Sequence, residues 1–329
     1  ILLAKLILKN TCKICNGETN TYLSWKDYRY KTSDKIYNII KCSNCKTEQI
    51  FPTPTKEEQF TFYPQDYYSY EEEVASKQTR WFLMKLFKNT WSLISSGMID
   101  LMYFLLYWSQ YKIDKGWFDT FVENKLNKAA WYDVLDIGCG AWTTQSAFGD
   151  KRNRNGFDIS DKISKKWSIF YWPSIDTVDF GKQYDAIIAI HVFEHIDEQI
   201  QFIKNIHNLF KNDGILLMKL PSCDGIFNRI VGKYAAERDI PRHLFNYSKS
   251  WLSRLFENKW FKVLDIRYLK NYGAAISLWR YLMDKWIIKN TNSLLFKIIS
   301  SLLYGVDLVV SFLHLPTNQI GIIAQKIDK

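Results

Sequence analysis

Between Trp131 and Leu269 the chain alternates short apolar runs with stretches whose apolar residues return every three or four positions. That alternation is the signature of βαβ units and a largely parallel sheet, hence of an α/β fold. The pattern predicts a first strand over Trp131–Ile137, a tight turn at Gly138–Gly140 and a short helix near Thr143–Phe148. Second and third strands are expected at Asn155–Ile159 and Ser174–Val178. Tyr184–Ile190 reads as a fourth strand, nearly all apolar as when both faces are covered. Asp197–Phe210 has helical spacing, with Ile200, Ile203, Ile206, Leu209 and Phe210 on one stripe. Asn212-Asp213-Gly214 reads as a turn into a fifth strand, Ile215–Leu220. Ser248 is a candidate N-cap for a helix reaching Asn258, Phe261–Leu269 a sixth strand, and Gln319–Gln325 a last short one.

Around this unit the text divides into zones. Residues 10–60 hold two cysteine pairs, end in Phe51-Pro52-Thr53-Pro54 and read as a small β-rich module. Residues 61–128 open with Tyr63, Tyr67, Tyr68 and Tyr70 and turn apolar and helical, as a connector or cap. The sheet unit fills 129–272, a second apolar helical stretch 273–316, and the last strand lies in 317–329. The whole, 329 residues, suits two domains with an elaboration. With 47% hydrophobic and 24% charged residues the chain can bury a core, which excludes disorder as its main state. Aromatic residues at 16% favour interfaces and membrane surfaces. Lys and Arg number 44 against 34 Asp and Glu, a balance of +10 that suits an anionic partner: nucleic acid, a phosphorylated substrate or an anionic membrane. The opening run Ile1–Leu8, interrupted by Lys5, fits neither a full signal peptide nor a spanning helix.

Four of the six cysteines form two C-x2-C pairs, Cys12/Cys15 and Cys42/Cys45, with 26 residues between them. Each pair lets one tight turn aim two thiolates at an ion, and two such turns complete a tetrahedral zinc site. The separation exceeds the usual 15–20 or so residues, so a long hairpin is expected between the turns. Four ligands close the site, which makes the expected zinc structural, folding a module too small to fold alone. Reduced thiolates also point to a reducing, cytoplasmic compartment.

Gly138 and Gly140 stand at a strand-to-helix turn, where glycine lets backbone approach a ligand closely. Asp158 ends the next predicted strand, and a carboxylate there suits the two hydroxyls of a ribose. Asp136, two residues before the first glycine, would repel a pyrophosphate but suits a ligand carrying an amino group and a sulfonium. Thr143 stands where a dinucleotide fingerprint needs its third glycine. S-adenosylmethionine therefore ranks above a nicotinamide or flavin.

The ordered motifs resemble a family. Val134–Gly140 is similar to the first motif of class I S-adenosylmethionine-dependent methyltransferases, and Tyr184–Ile196, with Glu194-His195-Ile196, to their fourth-strand motif. Asn212–Pro221 resembles their fifth strand, and Asp239–Ser248 a D-x-x-x-H segment common in the group. Two C-x2-C pairs, then Pro-x-Pro and a Tyr-rich stretch, resemble a zinc-binding module fused to bacterial members. The resemblance implies a Rossmann-like methyltransferase sheet, mostly parallel with its last strand antiparallel, a small zinc-ribbon-like N-terminal module and apolar helical insertions. It implies donor contacts from Asp136, Gly138, Cys139, Gly140, Asp158, Ile159, Asp176 in the adenine pocket, and His191 beside the methionine part. The family continues Gly140 with a small residue and Gly, whereas Ala141-Trp142 follows here.

Methyl transfer to a hydroxyl requires removal of its proton, a task suited to histidine near neutral pH. His191 and His195 follow the carboxyl end of the fourth strand, where α/β sheets bind ligands, and Glu194-His195 is expected to begin the next helix. His243 lies in a loop that should face the same crevice. Glu194, His195 and His243 are the candidate catalytic residues. His207 is expected to be solvated, Asp185 to be structural, and His314 has no assignable role. The expected reaction is methyl transfer to a hydroxyl of a saccharide, lipid-linked saccharide or other amphiphilic metabolite. Two alternatives stand beside it: an inactive methyltransferase-like zinc protein mediating interactions, kept alive by Ala141-Trp142, and an RNA methyltransferase. The second is disfavoured because the positive charge is dispersed and no Asn-Pro-Pro-Tyr-type motif follows the fourth strand, so nucleic acid is not the expected partner.

Two apolar stretches, Lys88–Lys112 and Ser293–Leu315, are long enough to raise the question of a membrane span. A span at the first would separate the thiolate module from the sheet unit across a membrane, and a span at the second would keep Gln319–Gln325 out of the sheet. Both are therefore expected to pack as a cap, to form a homodimer interface, or to lie peripherally on an anionic membrane's inner face, with basic and Trp residues at the interface.

Overall fold

The computed structural model describes residues 11–64, 117, 132–140, 152–159, 169–171, 181–257, 260–269, 277, 280–282, 302, 305, 306, 309, 310, 312, 313 and 315–327. Expectations for Thr143–Phe148, Ser174–Val178 with Asp176, Ala141-Trp142, His314 and all of the first apolar stretch lie outside these residues.

The main sheet has seven strands in the order β10-β11-β8-β7-β4-β5-β6. They are β4 (Tyr132–Ile137), β5 (Arg152–Asp158), β6 (Ile169–Tyr171), β7 (Tyr184–Ile190), β8 (Phe210–Pro221), β10 (Phe261–Leu269) and β11 (Gln319–Lys326). β4 to β8 pair in parallel, and β11 runs antiparallel to both β8 and β10. The order reverses direction at β4, and a crevice at the carboxyl ends of β4 and β7 follows from that switch. β7 runs through the core, with Ala186, Ile187, Ile188 and Ala189 fully buried, as the apolar run after Asp185 requires. Each such side chain contributes about 1.5–3 kcal/mol if of Ile size. β5 begins three residues earlier than its predicted counterpart and ends at Asp158, one residue before it.

Two local departures have clear causes. The expected turn Asn212-Asp213-Gly214 lies inside β8 as an irregularity: the β7–β8 register jumps from Tyr184↔Phe210 to Ala186↔Ile215, with Asp213 at φ 60°. The turn residues are spent on a bulge rather than on ending the strand. Glu194 and His195 do not open the helix. They sit in a single 3-10 turn, Phe193–His195, and helix α2 begins only at Gln199, running to Asn208. His207 is less solvated than expected, its ring packing edge-on against Phe261 and its Nε2 reaching the Ile327 carbonyl at 3.3 Å. Asp185 is structural: it accepts from the Asp133 amide at 2.8 Å and from Lys211 at 2.7 Å.

The N-terminal module is a meander of β1 (Thr19–Trp25), β2 (Tyr37–Cys42) and β3 (Glu48–Phe51), followed by helix α1 (Lys56–Thr61). Thr55 and Glu58 form a capping box that starts α1. The module is not a free appendage. A short strand from the sheet unit, β9 (Phe245–Asn246), pairs with β3 as the fourth strand of the small sheet. The long connection from β8, through α3 (Ile226–Val231) to α4 (Lys249–Glu257), therefore lies between module and main sheet. Ser248 caps α4, accepting from the Trp251 amide at 3.3 Å, and donates to the Cys45 carbonyl at 2.8 Å.

Candidate functional site

The glycine turn follows β4. Gly138 has φ +67°, and a Cβ there would collide with the Cγ2 of Val192, so only glycine fits on both counts. Gly140 has φ +51° and donates its amide to Asp158 Oδ2 at 3.0 Å. Gly138 and Cys139 both donate to the Phe157 carbonyl, at 2.8 and 3.2 Å. Asp136 and Asp158 are buried at adjacent strand ends, and Ile159, next to Asp158, is 44% exposed. Burial, with Asp136 and Asp158 beside it, pushes the Cys139 thiol up, so it stays protonated. The turn thus presents backbone between two carboxylates.

Val192, which seals Gly138, belongs to the segment that carries the histidines. His191 ends β7 in a left-handed conformation, φ 55°, and its amide donates to the Lys219 carbonyl at 2.9 Å. Its Nδ1 lies 3.0 Å from Glu194 Oε1, and its Nε2 lies 3.3 Å from Gln319 Nε2 on β11. Glu194 is fully buried, and its carbonyl accepts the Leu244 amide at 2.8 Å. Burial alone would raise its carboxyl, but the His191 bond and the surrounding imidazoles hold it below the usual carboxylate range. His195 and His243 pack edge to face, ring centroids 4.8 Å apart. His195 Nδ1 lies 2.8 Å from the Arg242 carbonyl and 3.0 Å from the Tyr63 hydroxyl. His243 Nδ1 lies 2.7 Å from the Glu237 carbonyl. Burial and the neighbouring His195 push His243 down to about 4, so it is neutral at physiological pH.

Several participants carry no sequence signal of their own. Tyr63 stood out only as part of a tyrosine-rich stretch, and Gln319 only as the start of a strand. Arg242 has a fully buried side chain clamped between two carboxylates: Asp27 at 2.9 and 3.0 Å, and Asp239 at 3.0 Å through both Nε and Nη2. Asp27 belongs to the loop after β1 and is itself held by the amides of Arg29, Tyr30 and Thr32. Arg238 pairs with Glu48 of β3 at 2.8 and 2.9 Å. These pairs fasten the segment 237–248, and with it His243, to the module.

Within the module the four cysteines meet. Sγ of Cys12 lies 3.6 Å from that of Cys45, and Sγ of Cys15 lies 3.5 Å from that of Cys42. Thiolates around one tetrahedral zinc, at about 2.3 Å each, would stand about 3.8 Å apart, so the four sulfurs fit such an ion. The two turns repeat each other. Asn16 and Lys46, each just after the second cysteine of its pair, have φ 57° and 62° and donate to the carbonyls of Cys12 and Cys42. The hairpin β1–β2 fills the long separation between the pairs.

The methyltransferase domain family model matches residues 105–275, just over half of the 329-residue chain, and the chain belongs to that family. It is an S-adenosylmethionine-dependent methyltransferase with a four-cysteine cluster in its N-terminal module. Among curated proteins it is 21% identical over 229 residues to the ubiquinone biosynthesis O-methyltransferase of Rickettsia bellii (strain OSU 85-389), covering 61% of this chain and 82% of that one. Similar solved structures include the plantazolicin methyltransferase BpumL in complex with SAH, at 14% identity, 78% and 98% coverage and a TM-score of 0.43. Another is the N-methyltransferase NodS from Bradyrhizobium japonicum WM9, at 11% identity, 62% and 82% coverage and a TM-score of 0.36.

Proposed function

We propose that the chain transfers the methyl group of S-adenosylmethionine to a hydroxyl of a saccharide, a lipid-linked saccharide or another amphiphilic metabolite. The supporting observation is the cluster of Glu194 and His195, on the segment that packs against the glycine turn, with His243 from the segment 237–248. In this reading Asp158 grips the ribose, the bare backbone of Gly138, Cys139 and Gly140 lets the methionine part approach closely beside Asp136, and Ile159 and Asp176 flank the adenine. His191 holds Glu194. The cluster of Glu194, His195 and His243 holds the acceptor hydroxyl and promotes loss of its proton as the oxygen attacks the methyl carbon. A hydroxyl acceptor agrees with the name of the Rickettsia bellii relative, a ubiquinone biosynthesis O-methyltransferase.

Among the described residues no helix is long and apolar enough to cross a membrane. The helical residues Leu302, Val306, Val309 and Phe312 are nevertheless exposed, 47% to 81%, at spacings that share a helix face. They support peripheral contact with an anionic membrane, where an amphiphilic acceptor would reside. Incubation with trideuteromethyl donor and a panel of glycans and lipid-linked glycans in anionic vesicles should yield a product heavier by one labelled methyl, with protein sedimenting with the vesicles. Label on RNA or protein alone would sink the acceptor assignment.

The four cysteines would hold one structural zinc. Metal analysis of the purified chain should find zinc at one equivalent, lost in Cys45→Ser together with the thermal transition of the module; a metal-free wild type with an unchanged transition would refute it.

A further inference from the structure

We infer that Glu194, His195 and His243 bind a divalent first-row metal ion on the acceptor side of the site. Each can offer a ligand atom, and these atoms lie within 4.8 Å of one another. The hydrogen-bond pattern sets the tautomers. A backbone carbonyl only accepts, so the Nδ1 of His195, against Arg242, and the Nδ1 of His243, against Glu237, both carry the hydrogen. With the hydrogen on Nδ1, the lone pair available to a metal is on Nε2. Imidazoles that ligate metals are oriented in this way, by donating their other N–H to a carbonyl or carboxylate.

The carboxylate completes the set. Glu194 Oε1 accepts from His191, while its buried Oε2 has no hydrogen-bond partner among the described residues. A buried carboxylate oxygen without a donor is costly. Nε2 of His243 lies 3.9 Å from Glu194 Oε1, too far for a hydrogen bond, and in the neutral ring it is a lone pair facing an anion. A cation between them satisfies both. Ligand atoms around a first-row ion at about 2.1 Å stand about 3.0–3.5 Å apart, so seating it closes the 3.9 Å pair by about half an ångström or more and any pair near 4.8 Å by more than about an ångström, by side-chain rotation. His195 and His243 are only partly buried, which leaves the ion an open side. Two imidazoles and one carboxylate with open positions suit Mn, Fe or Zn rather than Mg or Ca.

The catalytic half of this inference rests on the hydroxyl-methylation reading; the binding half does not. An acceptor with two adjacent oxygens would chelate the ion through its open positions. The O–H proton of the bound hydroxyl then passes to water, because His195 and His243 now spend their lone pairs on the ion. The resulting alkoxide oxygen forms the new bond to the methyl carbon. The C–S bond breaks with its electron pair left on sulfur, giving S-adenosylhomocysteine.

The test is titration of the zinc-loaded full chain with Mn2+, free ion followed by its paramagnetic resonance signal. One Mn2+ per chain should bind beyond the four-cysteine site. Glu194→Gln and His243→Gln should weaken it more than tenfold, and His191→Asn, which leaves the ligands in place, about tenfold. Zinc content and circular dichroism identify variants that have failed to fold. Neither Mn2+ nor added Zn2+ binding beyond the four-cysteine site, or binding unchanged in both ligand variants, would overturn the inference. Calorimetry with S-adenosylmethionine on the same sample separates the readings: donor binding without Mn2+ binding removes the metal site alone, and the reverse removes the methyltransfer reading alone.

Discussion

Arg242→Met is expected to lower the unfolding free energy by about 3–5 kcal/mol, read from the denaturant midpoint at neutral pH. Methionine matches the length of the arginine stem but leaves Asp27 and Asp239 buried without the cation they share, Asp239 keeping only Arg29 at 3.2 Å and Arg280 at 3.8 Å. Both carboxylates are fully enclosed, and Asp239 makes two of its bonds to this guanidinium. Burial alone would raise both groups, but the bonds and charge of Arg242 outweigh it and hold both below the ordinary value of about 3.9. Groups lowered by folding contribute stability that is fully present above their unfolded pKa and lost as pH falls through the folded one. The wild type should therefore lose this contribution only below about pH 4. In the variant, Asp239 gains from protonation, so the deficit against wild type should shrink from pH 7 towards pH 4. Adding Asp27→Asn and Asp239→Asn should recover much of the loss. A variant as stable as wild type at pH 7 would show that the clamp contributes nothing to joining module and sheet.

His195→Gln should reduce kcat by about 10²–10⁴ while leaving the affinity for S-adenosylmethionine within a few-fold of wild type. His195 stands in the 3-10 turn after β7, where its Nδ1 bonds Tyr63 of the module and Arg242 of the connecting segment. The glycine turn and Asp158 lie on other strand ends and keep their geometry. Glutamine can donate to the Arg242 carbonyl but cannot present an imidazole lone pair. Tyr63→Phe, which removes one bond and leaves the ring in place, should cost far less. Turnover within threefold of wild type in His195→Gln would exclude the cluster from the chemistry.

The central sheet was legible because a parallel strand covered on both faces is written as a nearly continuous apolar run, as in Tyr184–Ile190, and because an edge strand such as Phe261–Leu269 mixes apolar and charged positions between clear turns; both match their predicted limits. Boundaries slipped where local text has two uses: Asn212-Asp213-Gly214 is turn chemistry that a strand absorbed as a bulge, and Glu194-His195 has helical neighbours yet forms a separate turn. The cysteine pairs announced their cluster because few other arrangements use that spacing. The join between module and sheet was not legible. Asp27, Glu48 and Arg238 belong to no motif, Asp239 stands out only as the first residue of the D-x-x-x-H segment, and nothing local to a charged residue says that its counterion lies about 200 positions away in a buried pair. Tyr63 was obscured for the same reason, its partner His195 being 132 residues distant.

Isothermal titration of the purified full chain with S-adenosylmethionine addresses the donor site most directly. One equivalent should bind, with affinity reduced at least a hundredfold in Asp158→Ala and abolished in Gly138→Val, whose side chain has no room against Val192. A wild-type chain that is folded and zinc-loaded yet releases no heat with the donor, or that binds it equally well in both variants, would contradict the placement of the methyl donor at this turn.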